Sequence, residues 1–362
     1  MNDETYIQLA IELAKRGRGF VNPNPLVGCV ITKNNRIIGA GYHQKYGENH
    51  AEINAINSAV ESLEGTTLYV NLEPCSHYGH TPPCVDKIIE SKIKRVVIGT
   101  LDVNPLVSGN GVKKLKKAGI EVKVGVLEKE CAELNKFFFK YITKKIPYVT
   151  LKIAQTLDGK IADKSNYSQW ISSSESRKLV HSLRSNYDAV LIGSRTASID
   201  NPLLTVRLTE GRNPWRVVVD SNLKLSTDLR LFKQNADGKT ILVTSKESLS
   251  KKNKIKKLSA LGVRIIFVKK NGNGKLNLKN LLKELAILEI TSLLVEGGSE
   301  IFSSFVRQNL FDDIKVFISP KILGNGLSSF GLIKVNDLRK AYRLKIKNSE
   351  IVGEDLFLEL TK

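Results

Sequence analysis

Residues 73–84 read Glu73-Pro74-Cys75-Ser76-His77-Tyr78-Gly79-His80-Thr81-Pro82-Pro83-Cys84, and His50-Ala51-Glu52 precedes them. One imidazole and two thiolates, from His50, Cys75 and Cys84, suit a catalytic zinc, which takes three protein ligands and leaves its fourth position for water. Glu52 is the nearby carboxylate such a water needs for moving protons. Taken singly, a Cys is a small core hydrophobe and a His a packed surface residue. Taken together, His-Ala-Glu and Glu-Pro-Cys would both have to arise by accident. A structural zinc closes with a fourth protein ligand, and His77 or His80 could supply one. The glutamate beside a histidine ligand favours catalysis instead.

The His-x-Glu plus Pro-Cys arrangement is that of zinc nucleobase deaminases. One detail departs from its short form, because eight residues (76–83) separate Cys75 from Cys84. The chain holds four cysteines in all. Cys29 and Cys131 read as core thiols, so no disulfide framework is expected and a cytoplasmic location is.

Around this stretch the first half alternates helix and strand. Tyr6 to Lys15 has apolar residues at helical spacing. Val27–Ile31 and Ile37–Gly41 read as strands joined through Lys33-Asn34-Asn35, a hairpin connection. A helix is expected over Ala51–Val60, with His50 and Glu52 at its start. A strand over Thr67–Leu72 runs into Glu73-Pro74-Cys75, and Cys84 opens the next helix, where the N-terminal dipole favours thiolate. Strand Arg95–Gly99, helix Val112–Ala118, strand Glu121–Val126 and helix Glu128–Tyr141 complete an α/β layer with a mainly parallel sheet.

The length of 362 residues suggests two domains, and the boundary falls at Thr143-Lys144-Lys145-Ile146-Pro147, giving 1–144 and 145–362. Beyond it, Tyr148–Ala154, Ala189–Ile192, Val217–Val219, Ile241–Val243, Arg264–Val268 and Leu293–Val295 read as strands. Arg177–Arg184, Leu278–Leu288 and Glu300–Arg307 read as helices, and Lys269–Lys275 as a surface loop. The net charge of +20 comes from 56 basic and 36 acidic residues. These are spread along the chain, and the cluster Lys251–Lys257 reads as a solvated face, so no nucleic-acid partner is expected. No apolar run approaches the ~20 residues of a membrane helix. The acidic start Met1-Asn2-Asp3-Glu4 argues against a signal peptide.

Asn22-Pro23-Asn24-Pro25-Leu26-Val27-Gly28, His50-Ala51-Glu52, the Glu73–Cys84 segment and Asn104-Pro105-Leu106-Val107 resemble the bifunctional deaminase/reductase family of riboflavin biosynthesis. The long cysteine gap is characteristic of that family's deaminase, whereas cytidine and tRNA-adenosine deaminases keep the short gap. The resemblance continues through Ala154-Gln155-Thr156-Leu157-Asp158-Gly159-Lys160-Ile161-Ala162, Gln169-Trp170-Ile171-Ser172, Asp200-Asn201-Pro202-Leu203-Leu204-Thr205-Val206-Arg207 and Glu296-Gly297-Gly298-Ser299-Glu300. By itself the Gly-Gly after a β-branched, leucine-rich run is a tight turn that could approach a phosphate at a helix N-terminus. It is not the Gly-x-Gly-x-x-Gly of a dinucleotide-binding Rossmann unit.

The resemblance implies an α/β chain with a cytidine-deaminase-like three-layer domain, then a dihydrofolate-reductase-like α/β domain. It implies one zinc per chain and NADPH as cofactors. It further implies hydrolytic deamination of 2,5-diamino-6-(5-phosphoribosylamino)pyrimidin-4-one, then reduction of the ribosyl group to 5-amino-6-(5-phosphoribitylamino)uracil. Asn24, His43, His80, Asp102 and Asn104 fall on positions that the family uses around the first substrate. His80 stands where some members carry Lys or Arg. The dinucleotide would meet Ala154, Trp170, Thr196, Asp200, Ser221 and the run Gly298, Ser299, Glu300, Ile301, Phe302, Ser303, Ser304. The second substrate would meet Lys152, Ser168, Arg184, Leu204, Arg207 and Glu296, with the two arginines suited to its phosphate. Without the family, Trp170 reads as a core anchor and Arg184 as a surface ion pair. The expected partners are phosphorylated pyrimidines and a second copy of the chain in a homo-oligomer, with no membrane. The alternative is a nucleoside or tRNA deaminase whose second domain binds nucleotide without catalysis.

Overall fold

The computed structural model describes residues 2–78, 82–105 and 107–362. It divides into two compact units, Met1–Lys145 and Ile146–Lys362. In the first unit the order is α1 (Asp3–Lys15), β1 (Gly28–Lys33), β2 (Arg36–Tyr42), α2 (Ala51–Asn57), β3 (Thr67–Leu72), α3 (Cys84–Glu90), β4 (Arg95–Thr100), α4 (Asn110–Lys117), β5 (Glu121–Val124), α5 (Glu128–Leu134) and α6 (Lys136–Lys144). The sheet runs β2-β1-β3-β4-β5. Its first two pairings are antiparallel and its last two parallel, so it is mixed rather than mainly parallel. The cause is local: Asn34 and Asn35 both adopt positive φ, 48° and 61°, and turn the chain straight back as a two-residue hairpin loop.

Helices cover both faces of this sheet. On one side Tyr6, Ile7, Ala10 and Ile11 of α1 pack with Val30, Tyr69 and Val97. On the other, Ala51 and Ala55 of α2, Val85 and Ile88 of α3 and Leu115 of α4 pack with Ile31, Leu68, Val70 and Ile98. The result is a three-layer α/β/α unit. Gly28 permits the close approach of α1, since a Cβ there would lie 2.0 Å from the Ala10 carbonyl oxygen. The single helix expected over Glu128–Tyr141 breaks at Asn135 into α5 and α6. Asn135 is buried, and its side chain turns to the backbone of Leu26 instead of continuing the helix surface.

The second unit contains β6 (Tyr148–Thr156), β7 (Lys160–Asp163), α7 (Ser174–Asn186), β8 (Ala189–Gly193), α8 (Ser194–Asp200), β9 (Trp215–Val219), α9 (Arg230–Lys233), β10 (Thr240–Ser245), α10 (Lys252–Ala260), β11 (Arg264–Val268), α11 (Leu278–Ile287), β12 (Ser292–Val295), α12 (Ser299–Arg307), β13 (Asp313–Ser319), β14 (Gly326–Ser328), β15 (Lys345–Val352) and β16 (Asp355–Thr361). Nine strands form one sheet in the order β11-β10-β9-β8-β12-β6-β13-β16-β15. The pairings from β11 to β13 are parallel, and β16 and β15 close the sheet as an antiparallel edge. β14 and β7 pair separately. The core joins strand residues such as Leu151, Leu191, Val217, Val243 and Val295 to Leu281, Leu285, Phe302 and Phe305 of the covering helices. Most of the Lys251–Lys257 run lies on α10, whose Leu258 is buried, leaving the lysines towards water.

Candidate active sites

His50 is the N-cap of α2, Cys75 follows the end of β3, and Cys84 begins α3. The ends of three elements therefore converge. His50 Nδ1 lies 3.5 Å from Cys75 Sγ and 3.3 Å from Cys84 Sγ. All three donor atoms fall within 4.8 Å of one another. Among the described residues, no fourth His, Cys, Asp or Glu joins this group. His77 stays outside it, and His80 lies outside the described residues. One nitrogen and two sulfurs with an open fourth direction fit zinc held for catalysis.

The dipole of α3 serves a different cysteine from the one expected. The Cys84 backbone N–H donates to Cys75 Sγ at 3.3 Å, so the helix terminus faces the neighbouring sulfur. Hydrogen bonding from Cys84 and His50 holds the Cys75 thiol down at about 4 despite its burial. Cys84, next to that sulfur, buried and close to Glu52, is pushed up. Glu52 is 3% exposed, and burial raises its carboxyl to about 7. At neutral pH such a carboxyl can both accept and return a proton.

A cavity of about 280 Å³ opens beside these residues, and Asn24, His43, Asp102 and Asn104 all line it. His43 Nδ1 faces the Asn49 carbonyl oxygen at 3.0 Å and Nε2 faces the Asn24 amide nitrogen at 3.1 Å. Donation from Nδ1 to the carbonyl leaves Nε2 to accept from Asn24, which fixes a neutral ring. Burial lowers the His43 pKa in the same direction. Asp102 is buried, its carboxyl pushed up to about 6 by desolvation, and it accepts the Asn104 N–H at 2.7 Å. The wall also includes His77, Glu73, and Phe138, Tyr141 and Ile142 of α6. Glu73, Phe138, Tyr141 and Ile142 carry no signal for this in the sequence, and His77 was expected there only as a possible fourth zinc ligand. An aromatic stripe on a helix looks the same whether it lines a cavity or a core.

The second unit has a separate cavity of about 1590 Å³. It exceeds the ~300–1,000 Å³ of a pocket for one small ligand, and so has room for a dinucleotide and a second molecule. It sits where β6, β8, β9 and β12 end, the usual place for ligands on parallel sheets. Lys152, Ala154, Ser168, Trp170, Arg184 and Thr196 line it. So do Asp200, Leu204, Arg207, Ser221 and Glu296. From the run 298–304 the wall takes every residue except Ser303, which is fully buried. Helix periodicity is the reason: one position in that turn must face the core.

Gly298 has φ 82°, a conformation that favours glycine, and it caps α12, whose first residues Ser299 and Glu300 line the cavity with it. Trp170 is 64% exposed rather than a core anchor, with the Arg177 guanidinium 4.5 Å from its ring centre. Arg184 is likewise not a surface ion pair. It meets Glu296 through two hydrogen bonds and also donates to the Thr205 carbonyl oxygen, which commits its guanidinium within the protein. Arg207 donates only to the Thr205 hydroxyl among the described side chains, and so, of the two arginines expected at the phosphate, it is the one with donors to spare. Burial lowers the Lys152 pKa. His181, also in the wall, is held down at about 4 by burial and by Arg184 and Arg207. His181 was not singled out in the sequence, where it is one of several polar residues on an amphipathic helix.

Known proteins share both halves. The model of the RibD C-terminal domain matches residues 147–358, and that of the cytidine and deoxycytidylate deaminase zinc-binding region matches residues 1–100. The riboflavin biosynthesis protein RibD of Aquifex aeolicus is 48% identical over 358 residues, covering 98% of this chain and 97% of that one. The chain belongs to the RibD family.

The RibD of Escherichia coli is 38% identical over 377 residues, covering 99% of each chain. Among solved structures, the diaminohydroxyphosphoribosylaminopyrimidine deaminase/5-amino-6-(5-phosphoribosylamino)uracil reductase of Thermotoga maritima is 45% identical, with a TM-score of 0.88 over 99% of this chain and 98% of its own. Acinetobacter baumannii RibD gives a TM-score of 0.89 at 35% identity. As a RibD, the chain is a bifunctional deaminase and reductase of riboflavin biosynthesis, with a cytidine-deaminase-like first domain and a RibD reductase second domain. Its cofactors are zinc and NADPH, and both cavities fit them: the first by its nitrogen–sulfur donor set, the second by its size and the glycine-capped helix. The alternative of a nucleoside or tRNA deaminase with a non-catalytic nucleotide-binding second domain finds no support in these likenesses. No helix among the described residues is long and apolar enough to cross a membrane.

Proposed function

We propose that the first unit deaminates 2,5-diamino-6-(5-phosphoribosylamino)pyrimidin-4-one and that the second reduces the product's ribosyl group, each within its own cavity. The observation that carries the first assignment is Glu52, a buried carboxyl placed beside a nitrogen–sulfur triad and in the wall of the same cavity. His50, Cys75 and Cys84 hold the zinc, which when bound acidifies water towards neutral pH. Glu52 takes the proton released as water adds to the amino-bearing ring carbon and passes it to the ring nitrogen; it then takes the proton of the newly formed hydroxyl and delivers it to the leaving amine as the carbonyl forms and the carbon–nitrogen bond breaks. Asn24, His43, Asp102 and Asn104 orient the pyrimidine, and His80 is assigned to the phosphate end.

In the second unit NADPH supplies the hydride for the first carbon of the opened ribose. Ala154, Trp170, Thr196, Asp200, Ser221 and the run Gly298–Ser304 hold the dinucleotide. Ser303 acts there through backbone and packing alone, because its side chain is buried. Arg207 takes the phosphate, since of the two expected arginines it is the one whose donors are not committed within the protein. Lys152 donates to the sugar oxygen released on ring opening. Ser168, Leu204, Arg184 and Glu296 complete the wall. A cytoplasmic location agrees with four unpaired thiols, and no nucleic acid enters this reading. The homo-oligomer remains part of it and is read directly by sedimentation.

Two coupled assays test it on the full chain. Ammonia release is followed with the diaminopyrimidine, and nicotinamide absorbance with the deaminated product. Glu52→Gln should lose ammonia release by at least about a hundredfold, in the range of general acid–base catalysis, and keep its NADPH oxidation. Full ammonia release in Glu52→Gln, or no NADPH oxidation by the wild type, would refute the corresponding half.

A further inference from the structure

Glu73 precedes the Pro-Cys pair and lines the deaminase cavity, yet nothing above gives its carboxylate a task. It is 4% exposed. No lysine, arginine or histidine pairs with it in the described structure; backbone amides do. Oε2 accepts from the Asp102 N–H at 3.3 Å and from the Gly109 N–H at 3.0 Å. Oε1 accepts from the Val112 N–H at 3.2 Å. With both oxygens engaged, the carboxylate has little left to offer a substrate.

These three amides mark one connected stretch of chain. Asp102 and Asn104 begin it, joined by the hydrogen bond between them, and Gly109 and Val112 belong to the cap and first turn of α4. Glu73 itself is tied by its backbone N–H to the Thr100 carbonyl oxygen at 3.0 Å. The contact is close from the other side as well. A Cβ on Gly111 would lie 2.4 Å from the Pro74 carbonyl oxygen and 3.1 Å from Glu73 Oε1, so the first turn of α4 rests directly on the Pro74–Cys75 peptide and the Glu73 side chain.

We propose that Glu73 is a positioning residue for deamination: its carboxylate latches the segment bearing Asp102 and Asn104 onto the strand end bearing Cys75. The latch fixes the distance between the wall that orients the pyrimidine and the ligands that place the reacting water. A charged acceptor suits this task, because a buried carboxylate sharing three N–H donors makes stronger bonds than a neutral one. A displaced wall holds the pyrimidine less well in ground state and transition state alike, which raises KM more than it lowers kcat.

The proposal rests on the reading of Asp102 as a substrate contact, and the test separates the two. In full-length protein, Glu73→Gln keeps the size of the side chain but turns an amide group towards N–H donors, breaking at least one of the three bonds. The expected result is a KM for the diaminopyrimidine raised about tenfold with kcat changed less than about threefold, the pattern of lost ground-state binding. Zinc content should stay at the wild-type level and NADPH oxidation by the second unit should not change. Gly111→Ala, which pushes on the same peptide from α4, should raise KM in the same way, and Glu73→Asp, with both acceptors on a shorter arm, should fall between. Asp102→Ala is the control. If it leaves KM unchanged, the reading of the wall fails and the latch with it. If it raises KM while Glu73→Gln and Gly111→Ala do not, the latch alone is overturned. Loss of zinc in proportion to activity, or a lower maximal rate at unchanged KM from a partly unfolded first unit, also overturns it.

Discussion

Arg184 grips Glu296 through two parallel hydrogen bonds, Nε to Oε1 at 2.6 Å and Nη2 to Oε2 at 2.8 Å, with their side chains 13% and 6% exposed. Burial alone would raise the Glu296 carboxyl, but Arg184, with Lys152 and His181, more than offsets it and the net shift is downward. The pair joins α7 to the loop after β12, and so fixes two walls of the reductase cavity. Removing one partner strands a shielded charge. Arg184→Met should therefore destabilise the second unit by about 3 kcal/mol, as for other broken buried pairs. The double variant Arg184→Met/Glu296→Met should recover most of that loss, because neither charge is then left alone. It should not recover NADPH oxidation. Urea unfolding of the four members of the cycle measures the first claim; equal losses in single and double variants would contradict it.

His181 gives the second unit an acid-sensitive joint. Its Nδ1 accepts the Arg207 backbone N–H at 2.9 Å, which requires that nitrogen to be unprotonated. Burial first, then Arg184 and Arg207, lower its pKa from 6.5 to about 4, although Glu296 pulls the other way. The unfolded chain takes up its proton near 6.5 while the folded protein resists until about 4. Between those values the unfolded state binds more protons, so stability rises with pH. The contribution is complete above 6.5 and is lost as the pH falls towards 4. Glutamine can accept the same N–H without titrating. The unfolding midpoint of wild type should thus fall relative to that of His181→Gln across this window only, and a constant difference at every pH would sink the idea.

Zinc removal should divide the two activities cleanly, since the nitrogen–sulfur triad belongs to one compact unit and the large cavity to the other. Dialysis against a strong chelator should abolish ammonia release and leave NADPH oxidation of the deaminated substrate within about twofold of its starting rate. Restoring stoichiometric zinc should restore the first activity. Parallel loss of both rates would mean that the metal also supports the second unit, which the separate cores give no reason to expect.

The parts legible in the sequence were those where residue type and chemistry coincide. His50, Glu52, Cys75 and Cys84 stand out because few other tasks need them together. Apolar runs such as Ile241–Val243 and Leu293–Val295 marked strands inside the large sheet because those strands are buried throughout. The antiparallel edge was not legible. β15 reads Lys-Ile-Lys-Asn-Ser-Glu-Ile-Val and is exposed nearly throughout, so its pairing with β16 leaves no apolar alternation. In β13, Lys315 occupies a buried position, held by an ion pair to Glu359, and interrupts an otherwise apolar strand. The Arg184–Glu296 clamp joins residues 112 positions apart. No local pattern announces a partner at that distance, so the residues alone suggested only a surface ion pair for the arginine. Glu73 was hidden for a related reason, since backbone amides carry no sequence signature.

Asn135 shows what a misread helix can conceal. Periodicity runs on through it, but its side chain Oδ1 accepts the Leu26 N–H at 2.8 Å and its Nδ2 donates to the Leu26 carbonyl oxygen at 2.9 Å. Asn71 donates to the same carbonyl at 2.9 Å and accepts the Gly28 N–H at 2.8 Å. Two buried amides thus hold the segment that carries Asn24 into the deaminase cavity, and the helix breaks to let one of them reach it. Asn135→Ala should cost about 2 kcal/mol, from two net hydrogen bonds of about 1 kcal/mol each, and should raise the deaminase KM. Asn135→Asp should cost more than alanine despite its closer shape. It keeps the acceptor for the Leu26 N–H but sets a second, charged oxygen against the Leu26 carbonyl in a buried place. Thermal unfolding of the first unit and the deaminase KM, measured on both variants, decide it; an aspartate variant milder than alanine would show that the amide's donor is dispensable.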